Sequence, residues 1–453
     1  MADDLGWNDV NWHNSRIPTP NLNTLAFTHG VILNQSYVNE VCSPTRSAFF
    51  TGYYPFHLGT EHGWYEGQEP GGVPLKFTFL SEYMQRLGYS TYMVGKWHLG
   101  YCNRSYIPSG RGFDKFYGYY MGSQDYFTHK YDFKWLDFWD QLVPVYDQNE
   151  VYSTEIFANK SIEFIQDHKR KFGTSKPFFM YLAFQSVHSP LEVPSRYLSH
   201  CQAHRSKARR TYCGMVYAMD VAIGQVVETL RATGQYENTI IIFNSDNGGD
   251  TRVGGNNFPL RGNKHTLWEG GNRAISFLHS KKFVETHGVR HNQLFSIVDW
   301  FPTILTAVGK KTDSFGDGIN QWDMLIHNRP GRRLGFVYNI DPVAGAAAIR
   351  KGRYKFIVGH PGKPDGWIPP PEMRLRPPAG RKRSTLEKGP WLFDIKRDPT
   401  EHVNLAKWRP RMVRYMKGMI SLLRRQVAPS AHHPPDPRGD PRLHNNTMAT
   451  GWC

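Results

Sequence analysis

Short apolar runs that break off into charged or imidazole residues constrain this chain more than any other feature. Tyr92-Met93-Val94 runs into Gly95-Lys96 and then His98. Phe178-Phe179-Met180-Tyr181-Leu182-Ala183-Phe184 is followed by His188, and Ile240-Ile241-Ile242-Phe243 by Ser245-Asp246-Asn247-Gly248-Gly249. Apolar at nearly every position, such runs read as strands covered on both faces, the pattern of a parallel sheet. Helix-like segments lie between them: residues 79–87 before Gly88, 152–168, and 212–233 before Gly234. Glycine just past a helix suits a C-terminal cap. This alternation predicts an α/β catalytic domain with a mostly parallel central sheet over residues 1–330.

Past residue 330 the texture changes. Residues 334–340 form a short apolar run, 348–357 read as two strands about a tight turn, 391–395 as another strand and 409–426 as a helix. Residues 331–427 are therefore expected to form a smaller α+β unit with a short antiparallel sheet. Residues 428–453, rich in proline and histidine, are expected to be a poorly ordered tail. No apolar run approaches the length that spans a bilayer. The formal charge is +16. Basic clusters stand at Arg205, Lys207, Arg209 and Arg210, at Arg374, Arg376, Arg381, Lys382 and Arg383, and along the last helix. With no zinc-finger spacing, RNA-binding aromatic signature or basic-leucine pattern, this surplus fits an acidic or sulfated partner and argues against nucleic acid.

Ligands of open α/β sheets sit beyond the carboxyl ends of the strands. That brings Lys96, His98, His188, Asp246 and Asn247 to one crevice, and Asp3 and Asp4 too if a strand precedes them. Asp3, Asp4, Asp246 and Asn247 are hard oxygen donors, suited to calcium or magnesium and poorly to zinc. They are equally ordinary turn residues beside glycine. In Cys42-Ser43-Pro44-Thr45-Arg46 a thiol stands near an arginine, as a candidate nucleophile or as a small apolar side chain. The five cysteines form no CxxC pair, which argues against a zinc ribbon. Cys201 and Cys213 are close enough in sequence to bridge. Glycosylation sequons stand at Asn34, Asn103, Asn159 and Asn445.

Cys42-x-Pro44-x-Arg46, followed by Thr51-Gly52, resembles the signature of the sulfatase family. So do Ala2-Asp3-Asp4-Leu5-Gly6-Trp7, Gly95-Lys96-Trp97-His98-Leu99-Gly100, Gln185-Ser186-Val187-His188, Asp246-Asn247-Gly248-Gly249, Pro259-Leu260-Arg261-Gly262-Asn263-Lys264 and Leu267-Trp268-Glu269-Gly270-Gly271. The likeness runs to about Asn404 and is nearest to the arylsulfatase B (N-acetylgalactosamine-4-sulfatase) branch. It implies an alkaline-phosphatase-like fold and a sulfuric ester hydrolase of the arylsulfatase type. It implies that a formylglycine-generating enzyme oxidises Cys42, that Asp3, Asp4, Asp246, Asn247 and the modified Cys42 hold one Ca2+, and that Arg46 and Lys264 hold the nucleophile and the sulfate. Lys96, His98 and His188 would surround the sulfate and the leaving oxygen, with the choice of proton donor between the histidines open. The substrate class implied is a sulfated amino sugar of glycosaminoglycans, handled in the lysosome or outside the cell.

Two other readings compete. A phosphate-ester hydrolase of the related group would use serine or threonine with zinc, against the cysteine block. A catalytically silent binder of sulfated glycans would suit the start of the chain, where no signal peptide and no apolar run precede Asp3-Asp4. On that reading the first strand is missing, the chain is an incomplete or alternatively started version of an enzyme, and both aspartates hang on a free end.

Overall fold

The computed structural model describes residues 1–284, 288–373 and 389–453. The basic cluster at Arg374, Arg376, Arg381, Lys382 and Arg383 lies outside the described residues.

The apolar runs form the strands. β1 (Ser90–Lys96), buried throughout, pairs in parallel with β2 (Lys115–Tyr119) on one side and β3 (Phe178–Ala183) on the other. Short antiparallel strands Trp139–Asp140 and Val143–Pro144 finish that edge. In a four-stranded sheet, β4 (Ile241–Asn244) pairs antiparallel with β5 (Ser276–His279), which continues to Gly30–Leu33 and Val289–His291. The first sheet is thus parallel at its centre with an antiparallel margin, while in the second β5 runs antiparallel to both neighbours and Val289–His291 lies parallel to Gly30–Leu33 at the edge. In β1, Gly95 stands at φ +102°, where an added Cβ would lie 2.0 Å from the Ala183 carbonyl oxygen. Only glycine allows that approach and aims Lys96 out of the strand end.

The first residues join the two sheets. Ala2 N–H donates to Asn244 O (2.9 Å) and Asp246 N–H to Ala2 O (3.0 Å). On the other flank the Met1 ammonium donates to Leu182 O (2.8 Å), Phe184 N–H to Met1 O (3.1 Å) and Asp3 N–H to Ser186 O (3.0 Å). Asp3 and Asp4 are buried. The expectation of a free end is thereby corrected. Buried backbone groups must be paired, and a few residues laddered on both sides lock the carboxylates in place.

Helices Ser153–Phe172 and Lys207–Ala232 pack together on the layer. The second is long and apolar enough to cross a bilayer by length and composition, which corrects the expectation that no segment is. Its apolar window is 67% buried within the fold, as in a core helix. Its Arg209 turns inward to Asp9 (2.6 Å) and Glu372 (3.0 Å), so part of the basic surplus is internal.

Toward the carboxyl end, β6 (Gly335–Asp341), β7 (Ala346–Lys351), β8 (Tyr354–Val358) and β9 (Trp391–Asp394) form an antiparallel sheet in consecutive order. Its apolar face joins the same core as Phe50, Trp97 and Trp300. A buried polar cluster pins it: Lys355 pairs with Glu269 (3.0 Å) and Glu401 (2.8 Å), and Tyr37 and Tyr338 donate to Glu269 (2.8 and 2.7 Å). Burial and the neighbouring Glu269 charge push Glu401 up to about 7 against the pull of Lys355. Lys355→Met strands two buried carboxylates together, so it should destabilise the fold by about 3–5 kcal/mol in urea unfolding. A loss under about 1 kcal/mol, the scale of a surface pair, would rule that role out.

Residues 428–453 are not the loose tail their composition suggests. Ala428 N–H donates to Phe56 O (2.8 Å), Ala431 N–H to Gly59 O (2.8 Å) and Asp436 N–H to Gln68 O (2.8 Å). His432 Nδ1 lies 2.8 Å from Glu69 Oε1. Cys453 is bonded to Cys102, across 351 positions. Proline-rich extended chain can be ordered by backbone bonds and a disulfide as firmly as by a core. Cys201 and Cys213 are bridged as well.

Candidate active site

Cys42 opens a ten-residue helix, Cys42–Thr51, every residue of which is buried. Pro44 is tolerated because first-turn N–H groups have no intrahelical partner. Arg46, one turn on, shares the face of Cys42. Among the described residues Cys42 is the free cysteine, 4% exposed. Burial raises its thiol pKa, with Lys96 and Lys264 pulling the other way.

The strand ends deliver the rest. Arg46 makes a forked bond to Asp246 Oδ2 (2.8 and 3.1 Å), donates to Lys96 O (3.1 Å) and lies 3.7 Å from Asp3. Lys96 Nζ meets Asp3 Oδ2 at 2.6 Å, and Lys264 Nζ meets Asp4 Oδ1 at 2.7 Å. Asn247 Nδ2 donates to Asp4 Oδ1 (2.7 Å), and Asp4 N–H donates to Asp246 Oδ1 (3.2 Å). Three carboxylates and three cations thus interlock. Burial and the Asp246 charge push Asp3 up to about 7. For Asp4 burial is outweighed by Lys264 and His188, which hold its carboxyl below the usual range. Asp246 is likewise lowered, Arg46 and Lys96 outweighing burial.

The donor set fits a hard cation. Asp3 Oδ1 and Asn247 Oδ1 are buried with no hydrogen-bond partner, and orphaned buried oxygens in a native fold call for an explanation. Ligand atoms of Asp3, Asp4 and His188 lie within 4.8 Å of one another. The donors from Asp3, Asp4, Asp246 and Asn247 are all oxygens, as calcium and magnesium require.

The two histidines differ. His98 Nδ1 is 3.1 Å from Cys42 Sγ, and its Nε2 is 2.9 Å from the Tyr65 carbonyl oxygen. A carbonyl only accepts, so Nε2 carries the proton and the Nδ1 lone pair faces residue 42. Burial and Lys96 hold His98 well below its ordinary pKa, in the neutral form. His188 Nδ1 lies 2.7 Å from Ser189 O, while Nε2 lies 3.8 Å from Asp4 and the ring lines the cavity. Burial and Lys264 lower it to about 4. His98 and Asp4 both hold positive φ, 61° and 60°, a backbone cost of about 1–3 kcal/mol each that persists only where the surroundings enforce it.

Asp4, Cys42, His98, His188 and Lys264 border a cavity of about 270 Å³. Its remaining wall was not anticipated: Trp64, Tyr65, Glu66, Asp250, Arg252 and His265 among others. Gly122 also matters, since a Cβ there would lie 2.7 Å from the His98 ring. The available signal was thin: an aromatic pair between Gly63 and Gly67, and Asp250-Thr251-Arg252 directly after Gly248-Gly249. Asn159 and Asn445 are exposed; Asn34 and Asn103 are partly covered, their amides donating to Asn292 and Cys453.

Comparison with known proteins is consistent with this geometry. Residues 1–310 match the Sulfatase family model. The chain is 37% identical to arylsulfatase J of Mus musculus, over 98% of this chain and 78% of that protein. It is 31% identical to N-acetylgalactosamine-6-sulfatase of Homo sapiens, over 76% and 68% respectively. The crystal structure of Ps i-CgsB superposes with a TM-score of 0.80 at 29% identity, covering 95% of this chain and 92% of that one. Its complex with k-i-k-neocarrahexaose gives 0.79 at 28%, covering 98% and 96%.

Proposed function

The chain belongs to the sulfatase family and is a sulfate-ester hydrolase, and from that premise we propose that it works through a formylglycine made from Cys42 and a calcium ion held by Asp3, Asp4, Asp246, Asn247 and residue 42. The observation that carries this reading is the buried knot around residue 42, with two orphaned oxygens among its donors. When present, the aldehyde hydrate supplies a hydroxyl nucleophile and the ion makes that hydroxyl more acidic.

This chain's own residues do the remainder. Arg46, Lys96 and Lys264 place fixed positive charge beside residue 42, where they offset charge on non-bridging sulfate oxygens without reorganising. His98, neutral and with Nδ1 toward residue 42, accepts a proton there. His188 borders the cavity, and its Nε2, once it has taken up a proton there, passes that proton to the departing alcohol. Asp3, Asp4 and Asp246 keep Lys96, Lys264 and Arg46 respectively in position.

The substrate class we propose is a sulfated amino sugar of a glycosaminoglycan. It is supported by likeness to an N-acetylgalactosamine-6-sulfatase, while likeness to the complex with k-i-k-neocarrahexaose supports only the broader class of carbohydrate substrates. Two disulfides support maturation in an oxidising compartment, where a formylglycine-generating enzyme would act, and hence a lysosomal or secreted location.

The direct test is the mass of the Cys42 peptide from active protein made in a secretory host. An unmodified cysteine in fully active material ends the proposal. The roles of the histidines separate through leaving groups. His188→Ala should slow hydrolysis of a sugar sulfate by about 10²–10⁴, and slow an aryl sulfate with an acidic phenol far less. Equal losses on both would remove His188 as the proton donor.

A further inference from the structure

The floor of the cavity accounts for the sulfate and leaves its wall without a role. We propose that Trp64 is the stacking platform for the sugar ring that bears the sulfate, and that the Asp250–Arg252 pair reads that ring's polar substituents. This rests on the sulfate-ester reading and adds what selects the ester.

Trp64 is 40% exposed on the wall of a polar cavity, where a large aromatic ring is within reach of a ligand. Its indole is engaged by the Glu66 carboxylate, opposing the rise that burial gives that acid. The His265 ring stands 5.4 Å away at 55°. His265, pushed to about 4 by burial and Lys264, is uncharged. With its edge engaged by an acid and a second uncharged ring at its side, the indole contributes apolar surface to the cavity it lines. The axial C–H face of a pyranose is the apolar surface of an otherwise polar ligand, and it matches.

Arg252 grips Asp250 fork to fork, at 2.7 and 2.9 Å, while its side chain stays 57% exposed. A rigid pair of adjacent donors and acceptors suits the paired hydroxyl or acetamide groups of a sugar better than a second anion, because the arginine charge is already matched. At about 270 Å³ the space falls just short of the ~300–1,000 Å³ of ordinary ligand pockets. That is room for about one sugar ring. The loop that carries Trp64 is tied on either side by tail bonds to Gly59, Gln68 and Glu69, and preorganised contacts bind best.

The test is calorimetric and independent of turnover. Cys42→Ala protein is titrated with N-acetylgalactosamine 4-sulfate, N-acetylgalactosamine 6-sulfate and inorganic sulfate, alone and combined with Trp64→Ala or Trp64→Phe. Trp64→Ala should weaken at least one sugar sulfate about tenfold or more, leave inorganic sulfate within about twofold, and be largely rescued by Trp64→Phe. Equal sugar affinity with and without Trp64 overturns the platform. Parallel loss of inorganic sulfate overturns it too, as a sign of collapse, and so does sulfate binding with no sugar binding. Failure of the sulfate-ester reading shows separately, as wild-type protein that releases no sulfate from any ester.

Discussion

Cys42→Ala protein is expected to fold normally and to lose at least about 10⁴-fold in turnover of any sulfate ester, the scale seen when a nucleophile is deleted and binding is left intact. The structural cost is small because one buried sulfur atom is removed beside His98, while Arg46, Lys96 and Asp246 keep the bonds they make with one another. Thermal unfolding should shift by no more than a one-atom cavity causes, about 1 kcal/mol. The contrast is the informative part. If activity persists, the nucleophile lies elsewhere. If activity and folding fall together, Cys42 is a packing residue and its chemistry is unproven.

Calcium should stabilise the protein measurably, without any reference to catalysis. At about a hundredfold excess over the dissociation constant, binding to the folded state alone adds ~2.7 kcal/mol to unfolding. A chelator should reverse the shift. Asn247→Ala removes an oxygen that is buried and unpartnered, together with an amide bond to Asp4. It should cost the calcium-free protein about 1.5–3 kcal/mol through the lost bond to the Asp4 charge, and separately cut the further gain on adding calcium by at least half. A melting curve indifferent to calcium in the native chain would remove the ion from the mechanism and leave the oxygens of Asp3 and Asn247 unexplained.

Much of this site was legible before any coordinates. Lys96, Asp246 and Asn247 follow directly on apolar runs, and a strand end in an α/β layer is where polar groups must emerge. Arg46 was legible from its distance of four residues from Cys42. The amino-terminal ladder was not: too few residues take part to show a period, and their strand character comes wholly from partners in β3 and β4. The tail misled for the opposite reason. Its prolines and histidines look like loose chain, yet its order comes from main-chain bonds to residues 56–69, 102 and 136, from one covalent bond and from the isolated core side chains Met448 and Trp452, none of which leaves a local pattern. Trp64 and Arg252 escaped notice because a lone aromatic or a lone arginine in a loop has too many ordinary explanations.

The disulfide between Cys102 and Cys453 also carries a consequence for biosynthetic timing. Residue 42 is 4% exposed once the chain is closed, and part of the wall over it is strapped by a segment 351 positions downstream of Cys102. A polypeptide made from its amino end presents the Cys42 peptide to other enzymes well before that strap exists. On the proposed mechanism, an enzyme that oxidises Cys42 has its opportunity during synthesis, before the strap closes.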